Sequence, residues 1–462
     1  MKWEMFEKYT YVEEKHRTYI EEYIEYCKKG TRIPHYHIIP PCGLMNDPNG
    51  LAYYNGKYHI FFQWHPFGPS HGMKHWGQVT TQDFVDWKYE KEILIPNLEY
   101  EKNGCYSGNS MQVGDDLYLY YTANYKTDDG KIPKQAVAFL HKDGTIEKYE
   151  KNPIIDEQPE GLIGEIRDPF VFERNGNYYM FLGGGTTDGQ GKILQYQSED
   201  ALNWNYEGCI EVEGLEFGWM LECPGMIQVD GKDVLFISVM GMEAKGERYR
   251  NEFTTLYYVG NYNEKEKVFH TESWDELDKG FDFYAPQAFY DQNKEPIYFG
   301  WFGCGVQELP YMEEDMWIHG LTMPRKLEIR NGKLYQILLP QVKEQFKELA
   351  MDADAMIPED TQFLLTIDHK KKPYSSIQIG KDDDCLKIMI DQENGKVTVD
   401  RQGLKQQFST EYGTDRSLLF APGAFEKMEI YYDNTFIEIS MNGGEEWMSL
   451  RAFPETLSVT CQ

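Results

Sequence analysis

Asn46-Asp47-Pro48-Asn49-Gly50-Leu51-Ala52-Tyr53-Tyr54-Asn55-Gly56-Lys57-Tyr58-His59-Ile60-Phe61-Phe62 joins two signals in one stretch. Its second half reads as a β-hairpin. Two β-rich runs flank Asn55-Gly56, a dipeptide suited to a two-residue turn with φ > 0 at both positions. Its first half is a carboxylate before proline inside a dense turn, so Asp47 would sit at a sharply bent strand entry. The hairpin recurs 120 residues later as Phe170-Val171-Phe172, Asn175-Gly176 and Tyr178-Tyr179-Met180-Phe181. The acid-proline context recurs at Arg167-Asp168-Pro169 and Glu222-Cys223-Pro224, with weaker echoes at Tyr106-Ser107-Gly108 and Asp282-Phe283-Tyr284-Ala285-Pro286. From Asp47 through Ser107, Asp168 and Glu222 to Asp282 the steps are 60, 61, 54 and 60 residues. A further echo links Asp83-Phe84-Val85-Asp86-Trp87-Lys88-Tyr89 to Asp200-Ala201-Leu202-Asn203-Trp204-Asn205-Tyr206, 117 residues on. Five units of one blade length predict an all-β, five-bladed propeller with the recurring polar residues at its axis.

Outward from this core the pattern changes. Residues 11–29 predict a helix, with Val12, Tyr19, Ile20, Tyr23, Ile24 and Cys27 on one face and Gly30 as the stop. Residues 341–350 read as a short helical connector with Val342, Phe346 and Leu349 on its apolar side. Beyond it, runs such as Gln362–Ile367 and Phe436–Ile439, with turns at Glu393-Asn394-Gly395 and Asn442-Gly443-Gly444, predict a β-sandwich. The expected divisions are therefore a helical extension at 1–32, a propeller at 33–340, a linker helix at 341–350 and a sandwich at 351–462. Trp447 is the only Trp after residue 317, so the sandwich offers no aromatic platform for sugar and reads as structural.

Composition narrows the function classes. Among 462 residues, 41 % are hydrophobic and 15 % aromatic, which fits a globular β protein. A net charge of −30 disfavours nucleic-acid and anionic-membrane partners. No apolar run approaches the length of a membrane helix, and Met1–Lys8 carries no apolar leader, so a cytoplasmic protein is expected. The eight cysteines form no C-x-x-C pair, and the His35/His37 and His65/His71/His75 groups match no metal-site pattern. No metal and no organic cofactor are expected.

Several acids around one axis suggest glycoside chemistry. Retaining hydrolysis needs a carboxylate nucleophile and a protonated carboxylic acid at the leaving oxygen. Asp47 is the expected nucleophile. Glu222, flanked by Trp219, Met220, Leu221, Cys223 and Pro224, is the expected acid/base, its apolar neighbours keeping it protonated. Asp168 would bind sugar hydroxyls and stabilise the oxocarbenium-like transition state, with Arg167 holding a neighbouring carboxylate ionised.

Together these segments resemble glycoside hydrolase family 32, which comprises invertases, fructanases and sucrose-6-phosphate hydrolases. Supporting segments fall in the same order: Phe62–Pro69, His75-Trp76-Gly77, Tyr106-Ser107-Gly108, Tyr284-Ala285-Pro286-Gln287, Met323-Pro324-Arg325 and Arg451-Ala452-Phe453-Pro454. The resemblance implies the same roles for Asp47, Asp168 and Glu222, and a five-bladed propeller with a C-terminal sandwich. It implies fructosyl contacts from Asn46, Gln63, Trp76, Ser107 and Arg167. Leu44 (where the family usually has Trp), Met45, Tyr106, Asp282 and Trp301 are also expected at the sugar site. The implied activity is a retaining β-fructofuranosidase acting on sucrose 6-phosphate or sucrose. A fructanase on inulin- or levan-type chains would use the same residues, and a non-catalytic sugar-binding propeller is the third reading. Phe67-Gly68-Pro69-Ser70-His71-Gly72 and the N-terminal helix resemble the sucrose-6-phosphate hydrolases. A phosphate would then be met by Lys74 and His75, or by Lys245, Arg248 and Arg250.

Overall fold

The computed structural model describes residues 6–91, 93–128, 130–215, 218–351 and 355–462. Residues 1–5 of the charged N-terminal stretch lie outside the described residues. The chain is mostly β, with few and short helices. The Asn-Gly signals act as expected: Asn55 and Gly56 take φ of 49° and 79°, Asn175 and Gly176 take 54° and 77°, and both close tight hairpins. Asp230-Gly231 and Asn331-Gly332 turn in the same way.

Five mainly antiparallel sheets follow one another between Gly43 and Leu338. Their first strands, Gly43–Tyr54, Ser110–Val113, Leu162–Arg174, Met220–Val229 and Tyr284–Tyr290, touch in sequence, and the last touches the first. Trp317–Ile318 pairs in parallel with Gly43-Leu44 and ties the end of this ring to its beginning. The Asp-x-x-x-Trp echo is one turn used twice. Asp83 accepts the N–H groups of Val85 and Asp86, and Asp200 those of Leu202 and Asn203. Phe84 and Ala201 each take a positive φ there, ahead of the outer strands Lys88–Tyr89 and Asn205–Cys209.

A six-stranded and a four-stranded sheet follow. They enclose a core in which Ile377, Ile379, Leu386 and Ile388 lie with Ile430, Ile437, Ile439 and Leu450. A buried charge cluster joins them to the ring. Asp433 accepts from the N–H groups of His35, Tyr36 and His37, and the His37 ring bridges Asp433 and Glu438. Arg325 reaches Glu438 and, at 3.4 Å, Asp278. Trp447 packs under that guanidinium, 3.9 Å from the ring centroid, and donates its indole N–H to Gln336 O.

The N-terminal helix spans Arg17–Cys27 after a 3-10 turn at Glu14–His16, and buries Ile20, Tyr23 and Cys27. The connector is shorter than expected: its helix is confined to Pro340–Lys343. Beyond it the backbone turns to the sheet, where Leu364 N donates to Lys347 O and Leu349 N to Leu364 O. Val342 and Phe346 still bury their apolar faces.

Candidate active site

Four inner strands share one irregularity. Met45 faces Trp64 but Pro48 faces Phe62; Arg167 faces Gly183 but Phe170 faces Phe181. Glu222 faces Ser238 but Gly225 faces Phe236; Tyr284 faces Trp301 but Gln287 faces Phe299. Each is a one-residue bulge, placed where a proline cannot donate to the ladder. The residue before proline takes a positive φ in three of them: Asp168 (62°), Cys223 (45°) and Ala285 (47°). Such backbone is costly for residues other than glycine, and here it re-aims side chains at the axis. Gly50, at φ 54°, lets the first strand lie on Trp76 and Phe61, which a Cβ would meet at 3.0 and 3.1 Å.

The bulges bring the three carboxylates to one cavity of about 230 Å³. Ser107 Oγ donates to Asp47 Oδ2 and accepts from Gln63 Nε2. Burial, opposed by Ser107 and reinforced by Glu222, pushes the Asp47 carboxyl up to about 6. Asp168 Oδ2 accepts from Cys223 N–H at 3.0 Å, and its own N–H donates to Thr122 Oγ1 at 2.9 Å. Burial and Glu222 push its carboxyl upward against the pull of Arg167. The Cys223 sulfur lies 3.6 Å from Asp168 Oδ2 and 3.8 Å from Asp47 Oδ2. Burial and these neighbouring carboxylates drive the thiol well above its usual range, so it stays protonated and inert.

Glu222 departs from the expected apolar setting. Met220 and Leu221 are buried in the strand, while the carboxylate faces polar partners. Arg167 Nε and Nη2 each lie 2.8 Å from Oε1, and the Tyr284 hydroxyl donates to Oε2 at 2.8 Å. Arg167 is itself flanked by Glu165, which also pairs with Lys131.

Asn46, Gln63, Tyr106, Arg167 and Trp301 line the cavity with the three carboxylates, and Ser107 lies against Asp47. Four expected residues lie elsewhere. Leu44 pairs with Ile318 and packs on Leu309, Phe408 and Phe453, and Met45 is in the core. Trp76 stands on the third strand out from the axis, fully buried, with its indole N–H donated to Tyr106 O. Asp282 faces the C-terminal sheets, where its carboxylate accepts from Arg451 N–H, Gln307 and Arg401. Tyr284 holds the bulge position that Arg167 and Glu222 hold on their strands, and aligning the prolines rather than counting residues would have found it. His71 and Lys131 on the cavity wall carry no such signal.

The cations considered for phosphate separate likewise. Lys74 lines the cavity. His75 is buried and accepts Val12 N–H. Arg248 is held by Asp275 and Glu276, and Arg250 by Glu247 and Asp415, outside the cavity lining, as is Lys245.

Comparison with known proteins gives the same reading. The family description "Glycosyl hydrolases family 32 N-terminal domain" matches residues 37–337, and "Glycosyl hydrolases family 32 C terminal" matches 334–462. The sucrose-6-phosphate hydrolase of Bacillus subtilis (strain 168) is 36 % identical over 439 residues, covering 91 % of this chain and 88 % of the relative. The structure of a sucrose-6-phosphate hydrolase from Lactobacillus gasseri superposes with a TM-score of 0.90 at 28 % identity, covering 98 % of this chain and 96 % of that one. A Bombyx mori beta-fructofuranosidase mutant of the same family, in complex with sucrose, gives 0.80 at 30 % identity, covering 97 % and 96 %. Matched from residue 37 to residue 462, this chain is a glycoside hydrolase and belongs to glycosyl hydrolase family 32.

Proposed function

We propose that this chain is a retaining β-fructofuranosidase that hydrolyses sucrose 6-phosphate, and sucrose less well, to fructose and the glucose moiety. The observation that carries this is the meeting of Asp47, Asp168 and Glu222 in one cavity, each held by different partners. Ser107 holds Asp47 Oδ2, which leaves Oδ1 to attack the anomeric carbon of the fructosyl unit. Arg167 occupies Glu222 Oε1, so the proton for the departing glucose oxygen belongs on Oε2, beside the Tyr284 hydroxyl. Glu222 then takes a proton from water as that water attacks the fructosyl carbon and frees Asp47. Asp168 accepts from fructosyl hydroxyls, and those bonds strengthen as positive charge develops.

In this reading the five sheets are blades of a five-bladed propeller and the last two sheets a β-sandwich. The ring of contacts between the inner strands supports it. The units run over 1–32, 33–340, 341–350 and 351–462. The protein works in the cytoplasm, where a phosphorylated sugar and reduced cysteines are at home. Among the described residues no helix is long and apolar enough to cross a membrane.

The test is kcat/KM for sucrose 6-phosphate, sucrose and 1-kestose in one buffer. At least a tenfold preference for the phosphorylated sugar is expected, about 1.4 kcal/mol of transition-state discrimination. Equal turnover of the unphosphorylated sugars would overturn the phosphate assignment and leave a plain invertase or fructanase.

A further inference from the structure

One cation on the cavity wall turns its hydrogen bonds toward the site. Lys74 is 4 % exposed, and its ammonium donates to Asn46 Oδ1 and, at 3.3 Å, to His71 Nδ1. All three side chains line the cavity. Burial pushes Lys74 down to about 7 against the pull of Asp47, and in its charged form the side chain has donors and no acceptor. The Asn46 oxygen is therefore turned to Lys74, and its amide nitrogen is left for the cavity. On His71 the Nδ1 atom accepts, which puts the ring proton on Nε2. That Nε2 is buried and has no hydrogen-bond partner among the described residues. Burial and the nearby Lys74 charge push His71 down to about 3, so the ring stays neutral.

We infer that Lys74 is a positioning residue: it sets the direction of hydrogen bonding on this wall, so that Asn46 Nδ2 offers a donor to a hydroxyl oxygen of the bound sugar. The inference rests on the reading of this cavity as a fructosyl site. It gives the cavity two walls of opposite polarity. Asp47 and Asp168 accept, while Asn46 donates, so a sugar carrying hydroxyls on both sides is oriented before chemistry begins. The charged and titratable groups that face Lys74 are Asp47, His71, His65 and His319. Lys74 does not touch the bond that breaks, but its charge also favours ionised Asp47, so its effect on binding is read at a pH above the Asp47 limb.

The experiment is steady-state kinetics on Lys74→Met, Lys74→Gln, Asn46→Ala and the double variant Lys74→Met/Asn46→Ala, with thermal unfolding of each. The expected result for Lys74→Met is a KM raised at least tenfold with kcat changed less than threefold, the signature of lost uniform binding. Lys74→Gln, which keeps a donor for Asn46, recovers part of that loss. The double variant is no worse than Asn46→Ala alone, because Lys74 acts through Asn46. A lower kcat at unchanged KM, with a lowered Tm, would mean that Lys74 only supports the fold and would overturn the inference. So would full additivity in the double variant. A wild type that turns over no fructoside removes the underlying reading as well. Wild-type turnover with an unchanged KM in Lys74→Met removes this inference alone.

Discussion

Two regions of this molecule bury carboxylates beside cations, and they treat them in opposite ways. In the cluster between the ring and the C-terminal sheets, donors surround each acid. Asp433 accepts three backbone N–H groups and the His37 ring, and Glu438 accepts from His37, Arg325 and Met323 N–H. Burial there is outweighed by these partners, and both carboxyls are held below their usual range. In the cavity, Asp47 has the Ser107 hydroxyl and Asp168 a single backbone N–H, both share only the weak Cys223 thiol donor besides, and burial wins. The residue types are alike, and the number of donors decides. For these four acids, saturation goes with a structural place and under-service with capacity for a substrate; Glu222, which Arg167 and Tyr284 serve fully, stands apart from that contrast.

The sharpest way to break this contrast is to remove the cavity acids. Asp47→Asn and Glu222→Gln are expected to lower kcat by about 10³-fold or more, while Tm is kept or rises for Asp47→Asn, where a buried like charge is relieved, and falls for Glu222→Gln, which takes a counter-charge from Arg167. Near-native turnover in both would end the assignment. Next is the mirror experiment at the interface. Glu438→Gln leaves Arg325 and His37 buried with a missing counter-charge and is expected to cost about 3–5 kcal/mol of stability in urea unfolding. Its kcat per folded molecule should stay near wild type, and a selective loss of turnover would tie the cluster to catalysis.

The smallest effect is in pH. In the proposed mechanism Asp47 must be ionised to attack, so kcat/KM should rise with pH through about 6. His37 moves the other way. Burial alone would lower it, but Asp433 and Glu438 raise it to about 9. A raised histidine contributes stability that is complete below its unfolded value near 6.5 and is lost as pH climbs through about 9. That loss amounts to at most about 3 kcal/mol. Unfolding midpoints and activity followed over the same pH series should therefore show limbs of opposite sign. A single shared limb would mean that one group governs both.

Much of this was legible because proline is visible in sequence. Pro48, Pro169 and Pro224 mark bulges, and the acids stand beside them. Counting residues failed where the sheets differ in length. A step of 60 from Glu222 lands on Asp282, but Phe281 N and Asp282 N both bond to Ser449 O, and this draws that side chain to the C-terminal sheets. Tyr284 takes the cavity position instead. The apolar neighbours of Glu222 misled because alternate strand residues point to opposite faces, so adjacency in sequence is not adjacency in space. His71 and Lys74 were hidden for another reason. They come from a loop between the second and third strands of the first sheet, and loop positions have no periodicity to read.

The parallel pair between Gly43-Leu44 and Trp317-Ile318 has a consequence for how the protein is made. Asp47 leaves the ribosome well before residue 318, yet the edge beside it stays unmatched until that residue has followed. At a synthesis rate of about 5–20 residues per second, that interval is roughly 15–50 s. Through it the nascent chain carries an open sheet edge next to an immature site, which a neighbouring nascent chain on the same message can pair with. Pairing at that edge therefore comes late, and the ring closes only once residue 318 has been made.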